Sequence, residues 1–316
     1  MNYFIAFLTA FLIVYLLIPQ LKKFAIKIDF VDKPTSRKIH KNPVPGLAGI
    51  AIFLGFIVTY LFFNGGINSK SIALLIGSLM ILSIGIIDDW FKTKRKEFPA
   101  LPKFIVQMGA AVVAYQSGMV FYGFTNPITH EYVLLPVILQ FILTVTWIFG
   151  VTTVINFIDG LDGLAGGISA ISAVTLFIVA LAKGQVNSAM MAIILTGVLI
   201  GYLRYNKQPA QIYMGDAGAT FIGYILGVIA LDGAFKQATV LSLLIPILAL
   251  GVPIFDNIFV VIKRFLEGKS VYKADRSQVH YRLLSAGLNQ KQVVTFLCLV
   301  NFCMGLISII LLLLKV

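Results

Sequence analysis

The stretch SIALLIGSLMILSIGIIDDWFK, residues 71–92, decides how this chain is read. The 17 residues from Ser71 to Ile87 carry no charge, and Asp88 and Asp89 follow at once. An apolar run of this length approaches the ~20 residues that cross a bilayer as a helix. Carboxylates at such a boundary are costly unless something cationic uses them, so the pair marks a candidate functional site. Asp88 and Lys92 are four apart and share a face if the helix continues. Two readings fit: an ordinary ion pair at a helix end, or a carboxylate offered to a Mg²⁺ ion, since adjacent acids repel unless a cation or proton intervenes.

The rest of the chain repeats the pattern. It is 59% hydrophobic and 12% charged with a mean hydropathy of +0.94, which excludes a soluble globular domain. Ten candidate spans are expected, at 2–21, 46–63, 71–87, 103–122, 132–155, 164–182, 187–203, 217–234, 238–262 and 293–314. The first lacks a basic leader and a small-residue cleavage site and reads as a retained helix. Connections are short and show no repeat, so the expectation is an all-α polytopic membrane protein with one domain, 1–316.

Lysine and arginine set the orientation. Four loops (22–45, 88–103, 204–216 and 263–291) hold 21 of the 25, leaving Lys70, Lys183, Lys236 and Lys315 for the other face. The basic loops are therefore cytoplasmic and both termini lie outside. Eleven of the 13 carboxylates fall on the basic side. The net charge of +12 follows from the topology rule, and it also suits anionic headgroups or phosphorylated substrates. The basic loops contain no recognisable nucleic-acid module. Cys298 and Cys303, five residues apart in the last span, read as buried structural cysteines.

Two further segments pair acids with glycines. Asn156-Phe157-Ile158-Asp159-Gly160-Leu161-Asp162-Gly163-Leu164-Ala165-Gly166-Gly167 has no Lys or Arg to neutralise its acids. A Gly-rich turn opening a helix offers N–H groups to phosphate oxygens, and it also serves as a plain re-entry turn with a capping Asp. Asn206 precedes Tyr213-Met214-Gly215-Asp216-Ala217-Gly218-Ala219, where Asp216 stands in the N-cap position of the eighth span. Asp256 lies inside the ninth span and is expected to line a polar cavity. The last cytoplasmic loop adds Arg264, Asp275, Arg276, His280 and Arg282. Arg there suits phosphate, and His280 reads equally as a donor, a base or a surface residue.

Together these segments resemble the polyprenyl-phosphate N-acetylhexosamine-1-phosphate transferases, a superfamily that includes the phospho-N-acetylmuramoyl-pentapeptide transferase of peptidoglycan synthesis. The resemblance runs from the first loop to about residue 284, through Asp88-Asp89-Trp90-Phe91-Lys92, Asn156 to Gly163, and Met214-Gly215-Asp216. The first loop, with Val31-Asp32, Pro34, Arg37-Lys38, His40, Pro43 and Pro45, is similar to that of the bacterial branch using UDP-N-acetylglucosamine and undecaprenyl phosphate. Enzymes of that branch start teichoic acid, O-antigen and related envelope glycans. Two departures stand out. Pro43-Val44-Pro45-Gly46-Leu47-Ala48-Gly49 lacks the branch's Arg, and Gln278-Val279-His280-Tyr281-Arg282 keeps one His of the family's His-x-His-His-Arg. Gln and Tyr hydrogen-bond but carry no positive charge at neutral pH.

The resemblance implies attack by a polyprenyl phosphate on a UDP-sugar, giving a polyprenyl-diphospho-sugar and UMP at the cell membrane. It implies Mg²⁺, with Mn²⁺ as a substitute, held by Asp216 with Asp89. Asp88 would deprotonate or orient the lipid phosphate, and a covalent aspartyl intermediate on Asp88 or Asp89 stays open beside direct displacement. Lys92, Asn156, Asp159, Asp162, Asn206, His280 and Arg282 would bind substrate, and Arg37, Lys38 and His40 would meet the lipid phosphate. A homodimer among membrane lipids suits the family. The sugar alternatives include UDP-N-acetylmuramoyl-pentapeptide. From another class, an ion-coupled secondary transporter would place its carboxylates near the midplane and show repeated halves.

Overall fold

The computed structural model describes residues 2–33, 42–126, 129, 131–233, 243–268 and 277–314. Arg37, Lys38, His40, Asp275 and Arg276 lie outside them. In chain order the elements are α1 (Tyr3–Lys27), β1 (Val31–Asp32), β2 (Val44–Pro45), α2 (Ala48–Phe63), α3 (Ser69–Thr93), α4 (Ala100–Gln116), β3 (Gly123–Thr125), β4 (Tyr132–Leu134), α5 (Val137–Ile158), α6 (Leu164–Ala182), α7 (Val186–Asn206), α8 (Gly215–Gly233), α9 (Leu244–Ala249), α10 (Gly251–Leu266), α11 (Val279–Ser285) and α12 (Gln290–Leu313). Among the described residues, seven helices (α1, α3, α5, α6, α7, α8 and α12) are long and apolar enough to cross a membrane. This is a multi-pass, all-α membrane protein. Its two antiparallel ribbons, β1–β2 and β3–β4, are connectors. One of them corrects the fifth expected span: residues 132–134 pair as a strand, and the helix starts at Val137.

Helix α8 is the hub. Within its most apolar window 83% of residues are buried, against 22% in α1 and α12, which form the periphery. Small residues let neighbours reach its backbone. A Cβ at Gly85 of α3 would overlap the Ala217 backbone, and one at Gly223 would overlap the Thr152 and Val151 backbone of α5. Such close approach drives helix association where lipid removes the hydrophobic force between helices.

The ninth expected span is broken, not continuous. Proline has no N–H, so Pro253 leaves the Ala249 carbonyl without its helical donor. Ser172 Oγ of α6 donates to that carbonyl at 2.6 Å. The Val252 N–H donates to Asn301 Oδ1 of α12 at 3.2 Å, and Asn301 Nδ2 in turn reaches Ser172 Oγ at 3.1 Å. A backbone break at membrane depth survives only with partners of this kind. The last span departs from expectation in one side chain: Cys303 is exposed on α12, while Cys298 is half-buried, and both are free thiols.

Candidate active site

Helix α3 runs past its apolar stretch to Thr93, so Asp88, Asp89 and Lys92 sit on its last turns. Lys92 suits the partial negative charge of a helix C-terminus. Asp89, 8% exposed, takes the capping role that Asp216's position before the eighth span had suggested as one of its readings. Its Oδ1 accepts from the Asp216 N–H at 2.9 Å and its Oδ2 from the Ala217 N–H at 3.1 Å, so α3 caps α8. Asp216 itself lies in the first turn of α8. Gly215 takes φ +67°, and a Cβ there would overlap the Asp89 carboxylate, so the junction admits only glycine.

Asp88, Asp89 and Asp216 each bring a carboxylate oxygen within 4.8 Å of the others. Lys92 Nζ lies 2.8 Å from Asp88 and 2.5 Å from Asp216. Lys103 of α4 completes the knot, 3.2 Å from Asp88 and 3.0 Å from Asp216. Hard oxygen donors at this spacing suit a divalent cation, with the lysines balancing part of the negative charge before one binds. Lys103 was missed in the sequence, where it is a lone cation opening an apolar span; nothing in its spacing ties it to acids far along the chain.

The segment after α5 is held by the one after α7. Asn206 is buried; its Oδ1 accepts from the Gly163 N–H at 2.8 Å and its Nδ2 donates to the Ile212 carbonyl at 3.0 Å. Asp162 Oδ2 accepts from the Ala210 N–H at 3.0 Å. The Met214 N–H donates to the buried Tyr202 hydroxyl at 3.1 Å. These bonds set Asp159 opposite Asp216, and burial with the Asp216 charge pushes the Asp159 carboxyl up to about 7. Burial and the nearby Asp162 likewise raise the Tyr213 hydroxyl.

A cavity of about 590 Å³ gathers most of these groups: Asp89, Lys92, Asp159, Asp162, Asn206, Tyr213 and Asp216 all line it. Asn156, on the last turn of α5, does not, nor do His280 and Arg282, although Tyr281 between them does. His280 is fully buried, and a Cβ at Gly160 would overlap its ring. Burial holds its imidazole down at about 4, so it is neutral at physiological pH. Arg282 NH2 lies 3.3 Å from Asp256 and its guanidinium stacks 4.1 Å from the Phe259 ring centre. Asp256 is therefore placed otherwise than expected. It is absent from the cavity wall, and its Oδ1 accepts from the Val279 N–H at 2.8 Å, securing α11 to α10.

Residues 71–234, a little over half of the chain, match the model of Glycosyl transferase family 4. A Bacillus subtilis (strain 168) protein described as a probable undecaprenyl-phosphate N-acetylglucosaminyl 1-phosphate transferase is 36% identical, covering 97% of this chain and 84% of its own length. The chain belongs to this family of polyprenyl-phosphate N-acetylhexosamine-1-phosphate transferases. A decaprenyl-phosphate N-acetylglucosaminephosphotransferase of Mycobacterium tuberculosis (strain ATCC 25618 / H37Rv) is 29% identical over 92% of this chain and 78% of its own. An undecaprenyl-phosphate alpha-N-acetylglucosaminyl 1-phosphate transferase of Yersinia pestis is 28% identical, with 92% and 79% covered. The transferase is accordingly an enzyme whose reaction class joins a sugar 1-phosphate to a polyprenyl phosphate. The transporter alternative gains nothing from this membership.

Proposed function

We propose that the protein transfers N-acetylglucosamine 1-phosphate from UDP-N-acetylglucosamine to undecaprenyl phosphate, with Mg²⁺, as the first membrane step of a cell-envelope glycan. One observation carries the reading: three aspartates and two lysines from three helices form one ion-paired cluster, and Asp89, Lys92 and Asp216 of that cluster line a cavity of about 590 Å³. A phosphate oxygen of the lipid attacks the sugar-linked phosphorus, a new phosphoanhydride forms, and the bond to UMP breaks. Bringing two anions together is the barrier, and Lys92 and Lys103 offset it by charge and position. A divalent cation held by Asp216 and Asp89 would add charge neutralisation at the diphosphate. Asp88, buried between the two lysines, is the group that orients the lipid phosphate or takes its residual proton.

Direct displacement is favoured over a covalent aspartyl intermediate. Both Asp89 oxygens already accept backbone N–H groups at the start of α8, so attack through Asp89 would uncap that helix. Asp162 and Asn206 position the donor loop, and Asp159 faces the nucleotide. The same reaction on another UDP-sugar, including the pentapeptide nucleotide, is the second reading, favoured by Gln278 and Tyr281 standing in the altered His segment. We further read residues 1–316 as one transferase domain of ten crossings with both termini outside. The partition of Lys and Arg supports that orientation. Membrane lipids, and a second copy in a homodimer, would cover the exposed apolar faces of the peripheral helices.

The test is UMP release from purified protein in detergent given undecaprenyl phosphate, UDP-N-acetylglucosamine and Mg²⁺. Release should vanish without the lipid or with EDTA, and fall with UDP-N-acetylgalactosamine or the pentapeptide nucleotide. Release with another sugar alone would transfer the assignment to that sugar. Folded protein that releases no UMP from any nucleotide would sink it.

A further inference from the structure

Away from the cavity, two charged groups meet at the end of the bundle opposite the acidic cluster. Lys70 lies in the first turn of α3, and Asp232 on the last described turn of α8. Lys70 Nζ is 2.6 Å from Asp232 Oδ1, and Asp232 Oδ2 accepts from Ser188 Oγ of α7 at 3.1 Å. A cation in the first turn of a helix opposes the helix dipole, so Lys70 has no local reason to stand there. The turn that carries it is fixed. Asn68 Oδ1 accepts from the Ser71 N–H at 2.9 Å, and Asn64 Nδ2 donates to Ser71 Oγ at 2.6 Å.

Helices α3 and α8 run antiparallel and in step. From Lys70 to Gly85 α3 advances fifteen residues while α8 recedes fifteen, from Asp232 to Ala217, whose backbone a Cβ on Gly85 would overlap. Gly77 falls midway, against the Tyr224 hydroxyl. Beyond Gly85, Asp89 accepts from the Asp216 and Ala217 N–H groups. Among the described residues, hydrogen bonds and ion pairs join α3 to α8 at these two ends alone. The Ser78 and Tyr224 hydroxyls between them are buried and make no hydrogen bond. Glycine lets the backbones close but puts no side chain of α3 in the way of sliding. A slide of one residue moves a helix by ~1.5 Å, whereas a Mg²⁺ site needs its oxygens placed to within ~0.5 Å. We infer that Lys70 and Asp232 are positioning residues for the acidic cluster: their ion pair sets how far α3 lies along α8 and so brings Asp88 and Asp89 level with Asp216. The inference rests on the proposed use of that cluster to hold a divalent cation. With the Lys70 side chain 35% exposed the pair adds little to stability, and its consequence is geometric.

The experiment uses the full-length protein in detergent without substrates, with Mn²⁺ binding followed by the electron paramagnetic resonance of the free ion. Lys70→Met should weaken Mn²⁺ binding about tenfold, the order expected when a group that orients metal ligands is lost. The Mg²⁺ concentration for half-maximal UMP release should rise by the same factor. Asp232→Asn, which keeps the volume and a bond to Ser188, should do likewise and serves if Lys70→Met does not fold. Lys70→Arg should stay within about twofold of wild type, because it keeps the charge. Ser172→Ala, which removes the donor to the Ala249 carbonyl, is the control for destabilisation alone: it should lower Tm and leave Mn²⁺ affinity unchanged. Folded Lys70 and Asp232 variants with wild-type Mn²⁺ affinity would reduce the pair to an ordinary ion pair and overturn the inference. So would a Ser172→Ala protein that loses as much affinity as they do. Wild-type protein that binds no Mn²⁺ would remove the metal assignment and this inference together. A wild type that binds Mn²⁺, with variants that bind it equally well, would remove this inference alone.

Discussion

Replacing Lys103 by Met tests whether the acidic knot depends on two cations. Lys103 Nζ lies 3.2 Å from Asp88 and 3.0 Å from Asp216, with its side chain 27% exposed. At an effective dielectric of about 20, a 3 Å contact between unit charges amounts to about 5 kcal/mol before desolvation. Desolvation cancels most of that, and breaking a buried pair by removing one partner typically costs about 3–5 kcal/mol. Partial exposure lowers the expectation to about 2 kcal/mol. For a chain of this size that is a fall in Tm of roughly 4–5 °C, read in detergent with EDTA present. Lys103→Arg should recover most of it by keeping the charge. Asp88→Asn combined with Lys103→Met should cost less than the sum of the single changes, because each single variant strands a charge that the other neutralises. A Lys103→Met protein melting within 1 °C of wild type (about 0.5 kcal/mol), or strict additivity of the two changes, would refute the claim that these contacts hold the site together.

Asp216→Asn should lower UMP release at least ~100-fold while the purified protein keeps its elution profile; near-normal turnover would remove Asp216 from the metal site. Gly160→Ala should lower both Tm and turnover, because its Cβ overlaps the His280 ring, and His280→Ala in the same protein should restore part of the Tm. His280 makes a pH prediction whose sign follows from burial. Its folded value of about 4 lies below the ordinary 6.5, so its contribution is complete above pH 6.5 and is lost as pH falls toward 4. The full loss is about 3 kcal/mol, and thermal unfolding followed from pH 7 to 4 should show His280→Gln falling less than wild type.

How far the sequence could be read varies with the range of the interaction. Asp88 and Lys92 were legible because a helix joins them, and they do form an ion pair at 2.8 Å. The helix positions came from hydrophobic runs, and the described residues place a helix over part of each expected span. Continuity of the ninth span was misjudged because the backbone groups freed at its break are paired by side chains far away in the chain: Ser172 donates to the Ala249 carbonyl that Pro253 leaves without a donor, and Asn301 accepts from the Val252 N–H. Capping was one reading of Asp216 because an acid before an apolar run is the local rule; the real cap, Asp89, is 127 positions away. Arg282 reads as a phosphate ligand by residue type, yet here it pairs with Asp256.

The sequence by itself determined the solvent of this protein, the rough positions of its helices and which acids fall at the ends of its apolar runs, because hydropathy and charge are properties of segments. Tertiary structure alone decided which acids share a site, that Lys103 joins them, that His280 is buried neutral against Gly160, and that Lys70 meets Asp232. Those outcomes depend on distances between helices. Such distances are set by small residues packing backbone against backbone around α8, and no local pattern in the chain encodes which partner each one meets.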